Sequence, residues 1–217
     1  MAVLCSGGLD SIVLAADLTA HARVQPIYVA SGLAWEAGER AMLARALAAF
    51  PAAAQLDPLH LIDASVRDGY APGHWSIAGT PPAWETPDED VYLVGRNIVL
   101  LGKTAVFCAI NGISRIALAP LGGNPFPDAT PAFYDAMATA LSIGLAHRIA
   151  IETPYREWTK ADVIRRGQVV GAPMALTLSC MNPVGDLHCG ACSKCRERHD
   201  AFVEAIGSDP TEYVARG

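Results

Sequence analysis

A pair of glycines near the start of the chain separates a short apolar run from a longer apolar segment. The run over residues 2–5 predicts a buried strand, and the segment over 12–20 predicts a helix with Asp10 or Ser11 as its N-cap. Backbone N–H groups at Gly7, at Gly8 and at the helix N-terminus can approach an anion closely. This strand–loop–helix unit therefore predicts a phosphate-type site in an α/β fold.

Strand and helix patterns alternate along most of the chain. Strands are predicted over residues 2–5, 24–30, 59–63, 115–119 and 148–152, and helices over 12–20, 36–50, 97–110, 131–143 and 159–166. Such alternation predicts an open, mostly parallel sheet with helices on both faces. We expect one domain over residues 1–176, followed by a small segment over 177–217 that includes a C-terminal helix.

Two regions interrupt the alternation. Residues 64–94 are rich in Pro, Gly, Trp and acidic residues, and a loop of this length is typical of a functional lid or of a disordered segment. Residues 209–217 have the composition of a terminal tail. Neither region is predicted to contribute a strand to the sheet.

The composition is that of a folded globular chain. Of the 217 residues, 52% are hydrophobic and 18% are charged, which argues against disorder. The net charge of −6 argues against stable binding to nucleic acid, which needs a basic surface. No apolar run reaches the roughly 18 residues of a membrane span, and the first residues carry no cationic leader. We expect a soluble, cytoplasmic protein with no membrane partner.

Four of the six cysteines are clustered towards the C-terminus in a C-x8-C-x2-C-x2-C pattern. Disulfides are not expected in a reducing compartment, and the close spacing favours a metal site. Four thiolates can complete a closed tetrahedral shell for a structural Zn²⁺, and an iron–sulfur cluster is the alternative. His188 and His199 could replace a ligand, although four cysteines suffice. The predicted ligands are Cys180, Cys189, Cys192 and Cys195.

The glycine loop at residues 6–11 reads S-G-G-L-D-S and contains neither a G-x-G-x-x-G fingerprint nor a Walker motif. Asp10 would repel a bare phosphate, but a carboxylate there can hold the Mg²⁺ that accompanies a nucleotide. The loop resembles the PP-loop, S-G-G-x-D-S, of the ATP pyrophosphatases. In an open α/β sheet the adenosine is expected beside Val29, near the end of the second strand. The predicted ATP-binding residues are Ser6, Gly7, Gly8, Leu9, Asp10, Ser11 and Val29.

The glycine loop and the cysteine pattern together resemble the 7-cyano-7-deazaguanine (preQ0) synthase family of queuosine biosynthesis, also called the QueC family. Further similar segments are V-G-R-N at 94–97, E-T-P at 152–154 followed by Lys160, and L-S-C at 178–180. The resemblance implies a PP-loop, HUP-like fold with a zinc-binding appendage, and a homodimer. It also implies that Asp10, Lys160 and Arg96 are catalytic. The implied substrate-binding residues are Arg96, Gly122, Gly123, Phe126 and Asp128.

The reaction that this resemblance implies is an ATP-dependent ligation. ATP, bound with Mg²⁺, adenylates the carboxylate of 7-carboxy-7-deazaguanine, and ammonia displaces AMP to give an amide. A second ATP activates the amide oxygen, and loss of AMP leaves the nitrile. Such a mechanism depends on positioned groups and stabilised charge rather than on a nucleophilic side chain.

One loop departs from the family pattern and supports alternative functions. Where the family has Pro-Asp-Cys-Arg, this chain has Ala129 and Thr130 after Pro127 and Asp128. An arginine is a natural partner for a carboxylate, so a PP-loop relative with a different acceptor is the first alternative. That relative would modify tRNA or attach a deazapurine to a macromolecule. A zinc-stabilised nucleotide sensor without turnover is the second.

Overall fold

The computed structural model describes residues 1–51 and 53–214 of the chain. Within them, five parallel strands form one sheet in the order β3-β2-β1-β4-β5. The strands are β1 (Ala2–Leu4), β2 (Gln25–Ala30), β3 (His60–Asp63), β4 (Arg115–Ala117) and β5 (Ala150–Glu152). From β1 the chain runs first to β2 and β3 on one side and then to β4 and β5 on the other. A crevice forms where this order reverses, beyond the carboxyl end of β1.

Helices cover both faces of this sheet, as the alternating pattern predicts. They are α1 (Leu9–Thr19), α2 (Glu36–Ala48), α3 (Trp75–Ala78), α4 (Arg96–Ile110), α5 (Pro131–Gly144), α6 (Lys160–Val169) and α7 (Ser193–Ile206). Val3 of β1 packs into an apolar cluster with α1, α2, α6 and α7, whereas its neighbour Ala2 packs into a second cluster with α4 and α5. Successive strand residues point to opposite faces, so one buried strand serves both clusters.

The helix after the glycine loop begins earlier than the sequence indicated. Its N-cap is Gly8, in an extended conformation, and neither Asp10 nor Ser11 caps the helix as predicted. Ser11 instead donates its hydroxyl proton to the carbonyl of Gly8 at 3.0 Å. This local bond places Asp10 inside the first turn, where a negative charge is favourable.

The C-terminal residues that can be described are packed rather than forming the predicted tail. Asp209 accepts hydrogen bonds from the Thr211 backbone at 2.9 Å and from the Tyr213 hydroxyl at 2.5 Å. Tyr213 forms a parallel β-bridge with His188, beside the cysteine segment. Polar partners and an aromatic ring thus attach residues 209–214 to the fold, while 215–217 lie outside the described residues.

Residues 64–94 form an ordered layer between the sheet and the cysteine segment. The short helix α3 is capped by His74, and Trp75 stacks on Trp35 with ring centroids 5.7 Å apart. Ala83 forms an antiparallel bridge with Cys192. Of the two interpretations of this loop, the structure supports a lid, because its residues Asp88 and 91–93 line the cavity described below.

No helix among the described residues combines the length and the apolar character that a membrane span requires.

Candidate functional site

A cavity of about 430 Å³ opens beyond the carboxyl ends of β1, β2 and β4. The glycine loop, the starts of α4 and α6, the loop after β4 and the cysteine segment all contribute to its wall. Most of the predicted site residues therefore meet in one place. Those on the wall are Ser6, Gly8, Asp10, Ser11, Val29, Arg96, Gly122, Gly123, Phe126, Asp128 and Lys160.

Two residues of the predicted ATP loop lie behind the cavity wall. Leu9 is 1% exposed and packs in the core against the sheet. Gly7 adopts φ +79°, and a Cβ at this position would lie 2.7 Å from the carbonyl oxygen of Glu39. Glycine is thus required at position 7 by both backbone conformation and space. These two residues shape the loop, and their side-chain positions do not face the cavity.

The serines of the loop hold its conformation through local hydrogen bonds. The Ser6 hydroxyl accepts from the backbone N–H of Gly8 at 3.2 Å, and the Ser11 hydroxyl accepts from the backbone N–H of Ser6 at 3.2 Å. The two hydroxyl oxygens lie 3.4 Å apart. The loop is therefore preformed, with both hydroxyls at the cavity wall beside the N-terminus of α1.

Lys160 joins the glycine loop to α7 through two ion pairs. Its Nζ lies 3.3 Å from Oδ2 of Asp10 and 2.8 Å from Oε1 of Glu197. Glu197 also pairs with Lys194 at 2.7 Å, and Lys194 lies 3.7 Å from Asp88 of the lid. The capping box between Thr159 and Asp162 starts α6, so that Lys160 is the first residue of that helix.

Burial controls the electrostatics of this cluster. Desolvation raises the pKa of Asp10 even though the Lys160 charge opposes the rise. Burial alone would lower the pKa of Lys160, but the charges of Asp10 and Glu197 outweigh it and raise the pKa. For Glu197, burial is outweighed by the charges of Lys160 and Lys194, which lower the pKa to about 2. Lys160 therefore stays cationic at the cavity wall at neutral pH.

One carboxylate oxygen of Asp10 has no hydrogen-bond partner in the described part of the chain. Its Oδ1 is buried and has no hydrogen-bond partner there, whereas Oδ2 contacts Lys160. A buried carboxylate oxygen without a partner is costly unless a cation or a donor completes it. The donor chemistry at this point therefore fits a divalent cation or a polar group of a bound ligand.

Arg96 and Asp128 lie together at the N-terminus of α4. Asp128 accepts the backbone N–H of Asn97 at 3.0 Å, and the Asn97 side chain donates to the Asp128 carbonyl at 2.8 Å. Burial raises the pKa of Asp128, against the effect of these hydrogen bonds and of the Arg96 charge. The Nε of Arg96 is buried and has no partner in the described structure. Asp128 therefore fixes the helix start, and Arg96 keeps hydrogen-bonding capacity at the cavity wall.

The loop after β4 lines the cavity, but one of its predicted substrate-binding groups is already engaged. The N–H of Gly122 donates to the Trp158 carbonyl at 2.9 Å, so it is not available to a ligand carboxylate while that bond exists. Gly123 is exposed, and Phe126 stacks on Tyr92 of the lid with ring centroids 5.0 Å apart. Thr130, where the resemblance led us to expect an arginine, is exposed and caps α5 by accepting the N–H of Phe133.

The four clustered cysteines form a compact set of sulfur ligands. Their Sγ atoms all lie within 4.8 Å of one another, and two of the pairs measure 3.5 and 3.9 Å. A tetrahedral ion with metal–sulfur bonds of about 2.3 Å separates its sulfurs by roughly 3.8 Å. The backbone N–H groups of Asn182 and Cys189 donate to Sγ of Cys180, each at 3.2 Å. The arrangement therefore can hold one metal ion such as zinc.

The alternative ligands are engaged elsewhere. His188 is 3% exposed, and its Nε2 accepts the backbone N–H of Ser179 at 3.1 Å. His199 contacts Asp209 through Nδ1 at 3.1 Å. An iron–sulfur cluster would bind the sulfurs through separate iron atoms and spread them further apart than a single ion does. The geometry thus favours a mononuclear site made of the four cysteines alone.

Comparison with known proteins decides the family. The model of the family described as queuosine biosynthesis protein QueC matches residues 1–206, which include both the glycine loop and the cysteine segment. The chain belongs to the QueC family. It is 33% identical to the 7-cyano-7-deazaguanine synthase of Ruegeria sp. (strain TM1040), over 98% of this chain and 92% of that protein. The 7-cyano-7-deazaguanine synthase of Methanopyrus kandleri is 35% identical, over 98% of this chain and 97% of that protein.

Two acidic residues that line the QueC-type cavity were not found from the sequence. Glu39 on α2 and Glu197 on α7 are surrounded by ordinary helical sequence, with charged neighbours that are typical of solvated faces. The first turn of α2 carries both Glu36 and Glu39, and only the second of them reaches the cavity. No motif distinguishes these positions, because their roles depend on which helix face the fold turns towards the sheet edge.

Proposed function

We propose that this chain is an ATP-dependent C–N ligase that converts 7-carboxy-7-deazaguanine and ammonia into 7-cyano-7-deazaguanine, with release of AMP and pyrophosphate. One observation carries the proposal. This chain is similar over nearly its whole length to enzymes named 7-cyano-7-deazaguanine synthase. Its Asp10, beside the preformed glycine loop, pairs with Lys160 of α6 at 3.3 Å on the wall of the cavity described above.

The ATP would bind at the carboxyl end of β1. Its phosphates would lie against the glycine loop and the N-terminus of α1, where the helix dipole favours an anion and the Ser6 hydroxyl can donate. The adenosine would lie beside Val29 of β2. Asp10, through its unpartnered Oδ1, would hold Mg²⁺, which neutralises phosphate charge when it is bound. Lys160 would contact the phosphates, since its charge is fixed by its acidic neighbours.

The substrate acid would bind on the α4 side of the same cavity, where Arg96 offers a cationic partner for its carboxylate. A carboxylate oxygen attacks the α-phosphorus of ATP, and the bond to pyrophosphate breaks. The resulting mixed anhydride has AMP as a good leaving group. Ammonia attacks the carbonyl carbon, AMP leaves with the electron pair, and loss of a proton gives the amide.

The nitrile forms in a second cycle at the same site. The amide oxygen attacks a second ATP and pyrophosphate leaves again. The amide nitrogen then loses its two protons, the carbon–oxygen bond breaks, and AMP departs to leave the carbon–nitrogen triple bond. Each nitrile therefore requires two ATP molecules and one ammonia. The role of the cavity is to position the reactants and to exclude water from the activated carbonyl.

Outside the cavity, we propose a structural zinc at the four cysteines. We also propose two parts of the chain, an ATP-binding domain over residues 1–176 and a zinc-binding segment with a C-terminal helix over 177–217. The zinc would be structural because the four cysteine ligands leave no open position. None of the six cysteines forms a disulfide in the described structure, which suits the reducing cytoplasm. For a homodimer, the supporting feature is an exposed apolar stripe on α4 formed by Ile98, Val106 and Ile110.

A different acceptor remains the second candidate, and the observation that favours it is Thr130. This residue caps α5 and supplies no cation where the family has arginine. Exchange of labelled pyrophosphate into ATP separates the candidates, because it reports adenylation without needing ammonia. We expect exchange that depends on 7-carboxy-7-deazaguanine. Exchange that occurs only with a macromolecular acceptor would favour the second candidate.

A further inference from the structure

The cavity wall contains a buried carboxylate that the proposed chemistry does not use. Glu39 is 8% exposed, although it lines the cavity. Its Oε2 accepts the Tyr28 hydroxyl at 2.9 Å, and its Oε1 accepts the indole N–H of Trp35 at 3.1 Å. Burial raises its pKa to about 7, although the Arg96 charge and both hydrogen bonds act in the opposite direction. A fold retains such a costly group at a cavity most readily where a ligand uses it.

The two donors hold the carboxylate in one orientation. Tyr28 is 2% exposed on β2, and Trp35 is 6% exposed and stacks on Trp75. Each carboxylate oxygen has a second lone pair after it accepts one hydrogen bond. Glu39 can therefore accept two more N–H donors side by side, and its two present partners prevent the carboxylate from rotating away.

The groups around Glu39 complement this acceptor pair. The Arg96 charge acts on the Glu39 carboxylate, and Arg96 itself has a buried Nε without a partner in the described residues. The hydroxyl of Tyr134, also on the cavity wall, is likewise buried and unpartnered there. The wall thus offers two adjacent acceptors at one point and donors at others. A flat ring with an N–H and an amino group on one edge and oxygen acceptors elsewhere fits this pattern.

We propose that Glu39 determines specificity for the deazapurine ring by accepting hydrogen bonds from its ring N–H and its 2-amino group, while Arg96 binds the acidic side. The assignment rests on the proposed function. Adenine is a poorer match, because its edge pairs a donor amino group with an acceptor ring nitrogen. At about pH 8, above the pKa of Glu39, the carboxylate is ionised and has no proton for that nitrogen. The assignment therefore predicts that Glu39 acts on the acid and not on ATP.

The test uses Glu39→Gln in the full-length, metal-loaded protein. The amide can still accept from Trp35 and donate to the Tyr28 oxygen, so the packing is kept, but one acceptor facing the ligand becomes a donor. We expect the Kd for 7-carboxy-7-deazaguanine to rise at least ~10-fold while the Kd for ATP changes less than ~3-fold, measured by isothermal titration at about pH 8. Glu89→Gln, the same change at an exposed residue of the lid, is the matched control and should bind both ligands normally.

A second ligand makes the test independent of the variant's folding. We expect the wild type to bind the analogue that lacks the 2-amino group at least ~10-fold more weakly than the acid. Equal affinity of the wild type for the acid and the analogue would overturn the Glu39 assignment. A Glu39→Gln variant that binds ATP more weakly but the acid normally would overturn it as well. If the wild type binds ATP but not the acid, the proposed function fails and the assignment fails with it. These outcomes are distinguishable because the wild type is titrated with all three ligands.

Discussion

Lys160 and Glu197 form an ion pair in which Nζ and Oε1 are 2.8 Å apart, and this pair connects the glycine-loop side of the cavity to the cysteine segment. Lys160 is the first residue of α6, whereas Glu197 lies in the second turn of α7. The N-cap of α7 is Cys192, and Cys195 lies in its first turn. The helix that presents Glu197 to Lys160 is therefore the one that two of the four clustered cysteines hold.

This pair predicts that Glu197 positions Lys160 for catalysis. We expect Glu197→Gln to lower kcat at least ~10-fold with a less than ~3-fold change in KM for ATP, because Lys160 would then pair with Asp10 alone. Glu204→Gln on the same helix, which lies 4.0 Å from Arg165, is the control. Steady-state AMP release measures both. A Glu197→Gln enzyme with normal kcat would show that the ion pair is only structural.

The cysteine cluster is predicted to bind one metal ion per chain and to stabilise the fold. Elemental analysis of the purified protein should detect zinc in that ratio. Cys192→Ser should lower the unfolding temperature by roughly 10 °C or more, since metal binding contributes directly to the free energy of folding. Cys108→Ala, at a buried thiol outside the cluster, should keep the metal. A metal-free wild type that unfolds at an unchanged temperature would contradict this role.

Arg96 is predicted to bind the substrate carboxylate. Arg96→Lys keeps the positive charge but loses the two-pronged geometry of the guanidinium group. We expect the Kd for 7-carboxy-7-deazaguanine to rise at least ~10-fold, with a smaller change for ATP. Arg148→Lys, at an exposed position, is the control for the substitution itself. Isothermal titration measures both Kd values. An equal rise in the Kd for the acid and for ATP would show that Arg96 also binds the nucleotide.

The raised pKa of Glu39 predicts a stability difference that depends on pH. In the unfolded chain this carboxyl has its ordinary pKa of 4.5, whereas burial raises it to about 7 in the folded protein. Between these values the folded state binds more protons, so its stability falls as pH rises. We expect the wild type to lose roughly 3 kcal/mol relative to Glu39→Gln over this interval and nothing further above it. Urea unfolding at a series of pH values measures this, and a constant difference would contradict it.

The parts of the fold that depend on local pattern could be predicted from the sequence. Apolar runs and their glycine or proline boundaries located the strands and helices, and alternation implied the parallel sheet with two covered faces. The start of α1 was misplaced because Ser11 bonds back to the Gly8 carbonyl instead of capping the helix. Residues 209–214 were misread as a tail because their anchoring depends on distant partners such as His188.

The candidate site could be predicted where chemistry and spacing coincide. The cysteine spacing indicated a four-sulfur cluster, and the structure brings those sulfurs within 4.8 Å of one another. Glu39 and Glu197 could not be found in this way, because a charged residue on a helix is usually solvated. Their burial comes from the lid and from α7 packing against α6, which are long-range features that no local pattern encodes.

The proposed ligase activity is tested most directly by turnover of 7-carboxy-7-deazaguanine by the protein with ATP, Mg²⁺ and an ammonium salt. AMP and the nitrile are followed together by chromatography. We expect two AMP for each nitrile in the wild type and no AMP from a folded Asp10→Ala variant, whose thermal unfolding should be little changed. AMP release without nitrile, or normal AMP release by Asp10→Ala, would contradict the proposed activity.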